Sequence, residues 1–120
     1  MSLITQLQSP LYHGSTFRID VFKIPPHGVF FSPHLEWAES YGSVITEVEV
    51  QASRIYLIDY KSADDEQILS ALFDRDYKTL SGYISALKSI GYQACQTITD
   101  SEMVCVFPGT IINVLSSGGN

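Results

Sequence analysis

The amino-acid sequence predicts one α+β domain, and three observations carry that expectation. β-rich segments lie at both ends of the chain with two amphipathic helical patterns between them, so strands and helices are segregated rather than alternating. The 120 residues are 45% hydrophobic and 17% charged, which suffices for one core and leaves no room for two. No repeat, low-complexity block or linker interrupts the pattern; only "SSGGN", residues 116–120, reads as a flexible tail.

Taken in order, "LYHG" (11–14) reads as a short strand. The following "STFRIDVFKIPPHG" holds two consecutive prolines and a glycine, which predicts an irregular loop with at most one helical turn. "VFFS" (29–32) is a short apolar strand. In "SPHLEWAESYG", Ser32 suits an N-cap, Pro33 the first helical position and Gly42 the left-handed residue that ends a helix. Leu35, Ala38 and Tyr41 recur at three-residue steps, with Trp37 four residues before Tyr41, so a short helix should deliver Tyr41 at its C-terminal end.

"SVITEVEVQ" alternates Val44, Thr46, Val48 and Val50 with Ile45, Glu47 and Glu49, a strand with one buried face. "RIYLIDY" continues as another strand. Ser62 can cap a helix whose first turn holds Asp64, Asp65 and Glu66, acids favourable at that end, and whose apolar face is Ile68, Leu69, Leu72 and Phe73. Leu80, Tyr83, Ile84 and Leu87 mark a second helix ended by Gly91. "YQACQTITD", "EMVCVF" and "TIINVL" close the chain as three β-rich segments.

Composition narrows the function classes. Thirteen acids against seven Lys and Arg give a net charge of −6 with no basic stripe. Broad nucleic-acid binding needs cations to neutralise phosphates, so this chain is not built for it. No apolar run approaches the ~20 residues that span a bilayer. The stretch "MSLITQLQSP" lacks a basic n-region and a continuous apolar segment, so no secretory signal and a cytoplasmic location are expected. Cys95 and Cys105 lie on neighbouring predicted strands; two small apolar side chains are favoured over a disulfide. Two Cys and three scattered His show no ligand spacing, so no metal is expected.

Taken singly, the polar candidates are ordinary. A histidine at a strand end, a tyrosine on an amphipathic helix and a glutamate opening a strand are usually solvated, buried or exposed without function. Their order and surroundings are more specific. "LYHGS", then "GVFFSPHLEWAESYG", then "SEMVCVFPGTI" resembles the His–Tyr–Glu signature of the ADP-ribosyltransferase superfamily, on its diphtheria-toxin and poly(ADP-ribose) polymerase side, and small bacterial and phage members most closely. The matching elements are Tyr12-His13-Gly14-Ser15, Phe30 to Gly42, and Glu102 to Ile111, which frame nearly the whole chain. Ser15 stands where Thr is frequent in the family, and the chain is near the family's lower size limit.

The resemblance implies two antiparallel β-sheets packed at a steep angle, a few short helices, and NAD bound in the cleft between the sheets. It implies cleavage of the nicotinamide–ribose bond of NAD and transfer of ADP-ribose to an acceptor. Glu102 would stabilise the positive charge that develops on the ribose, an interaction made mainly in the transition state; Asp100, two residues earlier, is the alternative acid. His13 would donate a hydrogen bond to the adenosine ribose, and Gly14 would bind the nicotinamide carboxamide through its backbone. Tyr41 would stack on the nicotinamide. Ser15 and Thr16 would add hydroxyl contacts and Arg18 would meet the pyrophosphate.

The acidic balance favours a basic protein as acceptor over a nucleic acid. Arginine-directed relatives carry a Glu-x-Glu pair, for which Asp100-Ser101-Glu102 is a poor match. Water as acceptor, giving an NAD glycohydrolase, and a catalytically silent nucleotide-binding or protein-interaction module are the alternatives. Transfer of a 2′-phosphate from RNA is disfavoured by the lack of basic clusters. Compact members of this kind resemble phage or bacterial effectors that act inside an infected or rival cell.

Overall fold

The computed structural model describes residues 3–4, 7, 9–59, 61–97 and 103–119. Glu102 and the alternative acid Asp100 therefore lie outside the described residues. Strands β1 (Leu3–Ile4), β2 (Leu11–Ser15) and β3 (Val29–Phe31) precede helix α1 (Leu35–Glu39). Strands β4 (Val44–Gln51) and β5 (Ile55–Ile58), helices α2 (Ala63–Phe73) and α3 (Tyr77–Ser89), and strands β6 (Ala94–Thr97), β7 (Val104–Val106) and β8 (Ile111–Gly119) follow.

The strands form two sheets, one of five strands in the order β1-β5-β6-β7-β3 and one of three in the order β2-β4-β8. The α+β class expected from the sequence is thus observed. One core lies between the sheets, with Leu11 and Val48 of the small sheet against Val29, Phe31, Ile55 and Val104 of the large one. Against the expectation of one core, a second packs Ile68, Leu72, Leu80 and Ile84 of α2 and α3 on the large sheet's other face, since a sheet covered on both sides separates two apolar layers. The large sheet is covered on both faces, which is why "VCV" and "ACQT" are buried throughout rather than alternating. In β4, by contrast, Thr46 and Val48 are buried while Glu49 on the opposite face is exposed.

Several sequence expectations need correction. The sheets are not both antiparallel: β5 and β6 pair in parallel. A parallel neighbour requires a crossover of a dozen or more residues, and α2 with α3 supply it. Residues 116–119 are not a loose tail but the end of β8, in register with residues 44–47 of β4. Ser117 explains this tie, since its hydroxyl oxygen accepts from the Ile19 N–H at 2.9 Å and shares a hydrogen bond with the Thr46 hydroxyl at 2.8 Å. Residues 16–28 form the irregular loop expected, with one turn closed by the Gly28 N–H on the Pro25 carbonyl oxygen at 2.8 Å.

Helix α1 starts two residues later than Ser32 and Pro33 suggest, because the Ser32 backbone is already bonded to Tyr12. The chain must leave that bridge before it can coil, and the Ser32 hydroxyl meanwhile accepts from the His34 N–H at 3.0 Å. Gly42 does not adopt a left-handed conformation. Its lack of a side chain serves close approach instead: a Cβ there would stand 2.1 Å from the Ser15 carbonyl oxygen.

The helix signals in the middle of the chain hold better. Ser62 is the N-cap residue of α2, although its hydroxyl makes no capping bond. Buried Asp65 ties that helix down instead, accepting from the Tyr56 hydroxyl at 2.5 Å and the Asp59 N–H at 2.8 Å. Gly91, at φ 101°, ends α3 with bonds from its N–H to Lys88 and from the Tyr92 N–H to Leu87, a Schellman closure. Cys95 and Cys105 face each other across β6 and β7 as free, buried thiols. Hydrogen bonding to Cys95, and then burial, push the Cys105 thiol well above its usual pKa, so it behaves as a small inert side chain.

Candidate functional site

Among the described residues, one backbone bridge joins the two sheets beside the cleft. Tyr12 in β2 and Ser32 just after β3 exchange backbone hydrogen bonds of 2.8 and 2.9 Å. Beyond this bridge the chain turns away into α1, and a cleft of about 550 Å³ opens. That volume lies within the ordinary range of small-molecule sites, ~300–1,000 Å³.

His13 lines the cleft from β2. Its ring packs edge-on to Phe22 at 5.2 Å and near Phe31 at 5.6 Å, which fixes its plane. Nδ1 lies 2.8 Å from the Phe30 carbonyl oxygen, and a carbonyl only accepts, so Nδ1–H is the donor. In the neutral ring Nε2 is then an acceptor. With Nδ1 bonded to Phe30, the contact of His13 with a ligand hydroxyl, expected above as a donation, falls to Nε2.

Gly14 follows on the same strand. Strand alternation sends its N–H and C=O to the same side as those of Tyr12; because the Tyr12–Ser32 bridge is antiparallel, that side faces back toward Phe30 of β3, across the cleft that Gly14 lines. Its missing side chain also lets α1 settle on β2. A Cβ at Gly14 would lie 1.8 Å from the Ala38 carbonyl oxygen and 3.3 Å from the Tyr41 Cβ. This close seating carries Tyr41 to the cleft, where its ring is half exposed and Trp37 and Ala38 line the wall beside it.

The structure thus gathers His13, Gly14 and Tyr41 around one cavity. Met103, the residue that follows Glu102 in the sequence, lines it as well. Ser15, Thr16 and Arg18 stand apart. Ser15 donates its hydroxyl to the Phe17 carbonyl at 2.6 Å, Thr16 is exposed, and Arg18 pairs with Asp20 at 3.2 Å on an open surface. None of the three lines the cleft.

Among the lining residues that the sequence reading did not single out, three are polar or aromatic groups at the cleft's far wall. Arg75, in the turn between α2 and α3, holds its guanidinium 5.0 Å from the centre of the Tyr41 ring. Tyr77 follows it, and His27 stacks on Tyr77 at 4.0 Å with the rings 15° apart. Hydrogen bonding to the Tyr77 side chain is the main influence that holds the Arg75 pKa above its usual value. The one available signal was weak: a lone cation between two helical patterns has no period to announce it. Among the described residues no group of three His, Cys, Asp or Glu is placed to hold a metal, and no helix is long and apolar enough to cross a membrane.

No family model and no curated protein matches the sequence. The fold is similar to that of a solved crystal structure of an anti-CRISPR protein, with a TM-score of 0.55 at 14% identity, covering 88% of this chain and 94% of that one. At this identity the likeness is one of fold.

Proposed function

We propose that the chain is a mono-ADP-ribosyltransferase with an ADP-ribosyltransferase-like fold, acting on NAD and a protein acceptor. The observation that carries this reading is the convergence of His13, Gly14 and Tyr41, from two separated motifs, on one cleft that Met103 also lines. The residues suit the dinucleotide. The Tyr41 ring offers a flat face to the nicotinamide, and the Gly14 backbone offers an N–H and a C=O to its carboxamide. His13, held by the Phe30 carbonyl, presents Nε2 to a ribose hydroxyl.

NAD supplies a leaving group that is already cationic, so the cost falls on the positive ribose left behind. A carboxylate near that ribose stabilises charge in the transition state, and Glu102 is assigned this work. An acidic chain of net charge −6 suits a basic protein surface as the acceptor. The fold shared with an anti-CRISPR protein fits a place among phage or bacterial effectors that disarm a defence system by modifying one of its proteins.

Incubating the pure protein with labelled NAD and cell lysate tests the reading. Label moving onto protein is expected. Free ADP-ribose alone would make the protein a glycohydrolase, and intact NAD would leave a silent module.

Tyr41→Ala should raise the KM for NAD about 5- to 30-fold, the usual worth of a stacked ring against a cation. Tyr41→Phe keeps the ring and should stay near the parent value. Steady-state kinetics on both variants decides it, and an unchanged KM in Tyr41→Ala would exclude stacking.

A further inference from the structure

Arg75 occupies an unusual backbone position. It is the described non-glycine residue with positive φ, at 55°. It ends α2 by the closure that Gly91 makes for α3: the Arg75 N–H bonds to Leu72 and the Asp76 N–H to Ala71, at 3.4 and 3.0 Å. Glycine is the usual residue at this point of a helix terminus, because a side chain in the left-handed region crowds its own backbone. The chain uses glycine at one of the two sites and arginine at the other. Backbone geometry alone would favour glycine at both, so the difference lies in what the side chain does.

Its surroundings say what that is. Arg75 is the one Lys or Arg among the described residues that line the cleft. No carboxylate of the described residues forms an ion pair with it. Its guanidinium lies instead between two tyrosines, hydrogen-bonded to the Tyr77 side chain and over the face of Tyr41, the ring assigned to the ligand's flat heterocycle. A guanidinium offers a planar fork of N–H donors that matches a phosphate group, and it binds an aromatic face more weakly than a charged oxygen pair.

We propose that Arg75 is the phosphate-binding residue of the cleft, and that it exchanges the Tyr41 ring for the ligand's diphosphate as the ligand enters. The exchange clears the ring face for the heterocycle, so phosphate recognition and stacking are linked through one side chain. This rests on the ligand class proposed above and deepens it: the cleft takes a molecule that joins a diphosphate to a flat ring. Arg75 takes the place that Arg18 was expected to fill.

The test uses Arg75→Gly, which suits the left-handed position and so avoids a folding failure. Its melting temperature should hold or rise by roughly 2–5 °C. Binding is measured by calorimetry with NAD, ADP-ribose and inorganic pyrophosphate, and with nicotinamide riboside as the phosphate-free probe. Arg75→Gly should weaken the three phosphate ligands roughly 10- to 100-fold, the scale of a lost charge-assisted hydrogen bond, while nicotinamide riboside, which cannot draw Arg75 off the ring, should bind as well or more tightly. Arg75→Lys should restore part of the loss. Equal weakening of all four ligands would make Arg75 a prop for Tyr41 and overturn the proposal, as would unchanged NAD binding. Arg75-dependent binding of pyrophosphate and ADP-ribose without NAD binding would uphold the phosphate site while removing the NAD reading. NAD turnover that Arg75→Gly leaves intact would do the opposite.

Discussion

Glu102→Gln is expected to lower the rate of NAD cleavage about 10²- to 10³-fold, the usual cost of removing one group that stabilises transition-state charge. The amide keeps the size of the carboxyl, loses its negative charge and turns one of two acceptor oxygens into an NH2 donor. That charge matters most when the ribose becomes positive, so kcat should fall while the KM for NAD changes little. The melting temperature should match the parent's. The assignment rests on the sequence motif and on Met103, its neighbour in the chain, which lines the cleft with His13 and Tyr41. Asp100→Asn is the control. Single-turnover assays of both variants separate the two acids: full activity in Glu102→Gln with loss in Asp100→Asn would move the role to Asp100.

Gly14→Ala should damage the fold severely for so small a substitution. The added methyl would stand 1.8 Å from the Ala38 carbonyl oxygen and 2.8 Å from its carbon, and that obstacle is helix backbone with no rotamer to yield. Either α1 lifts off β2 or the strand bends, at a cost of about 3 kcal/mol or more. For a chain of this size the melting temperature should drop by roughly 10 °C. Because α1 carries Tyr41, the KM for NAD should rise in the same variant. Gly82→Ala is the matched control, since a Cβ there meets nothing within 4 Å on α3. It should stabilise the helix by about 0.5–1 kcal/mol. Thermal unfolding followed by circular dichroism compares them, and an unchanged melt for Gly14→Ala would contradict the close seating of α1 on β2.

Much of the fold was legible because it is local. The alternation of β4 and the spacing of Leu80, Tyr83, Ile84 and Leu87 mark a strand and a helix, and both are found where expected. Gly91 ends α3 as a left-handed glycine. The motif residues His13, Gly14 and Tyr41 were legible through their neighbours in the chain, not through any period. What failed were local readings at residues whose backbone or hydroxyl has a partner far along the chain. Ser32 looked like an N-cap because nothing in "SPHLEW" shows that its backbone bonds to Tyr12. "SSGG" looked loose because the Ser117 hydroxyl finds Thr46 and Ile19 only once the chain is folded.

The amino-acid order alone determined the class of fold, most strand and helix positions, and three of the residues that meet at the cleft. Side-chain period and turn chemistry act within a few residues, and a linear string displays them. Tertiary structure decided the parallel pairing of β5 with β6, the reason Gly14 must lack a side chain, and the replacement of Arg18 by Arg75 as the cation of the cleft. Each of these is a distance between segments remote in sequence, set by how α1, α2 and α3 pack on two sheets, and no local pattern encodes such a distance.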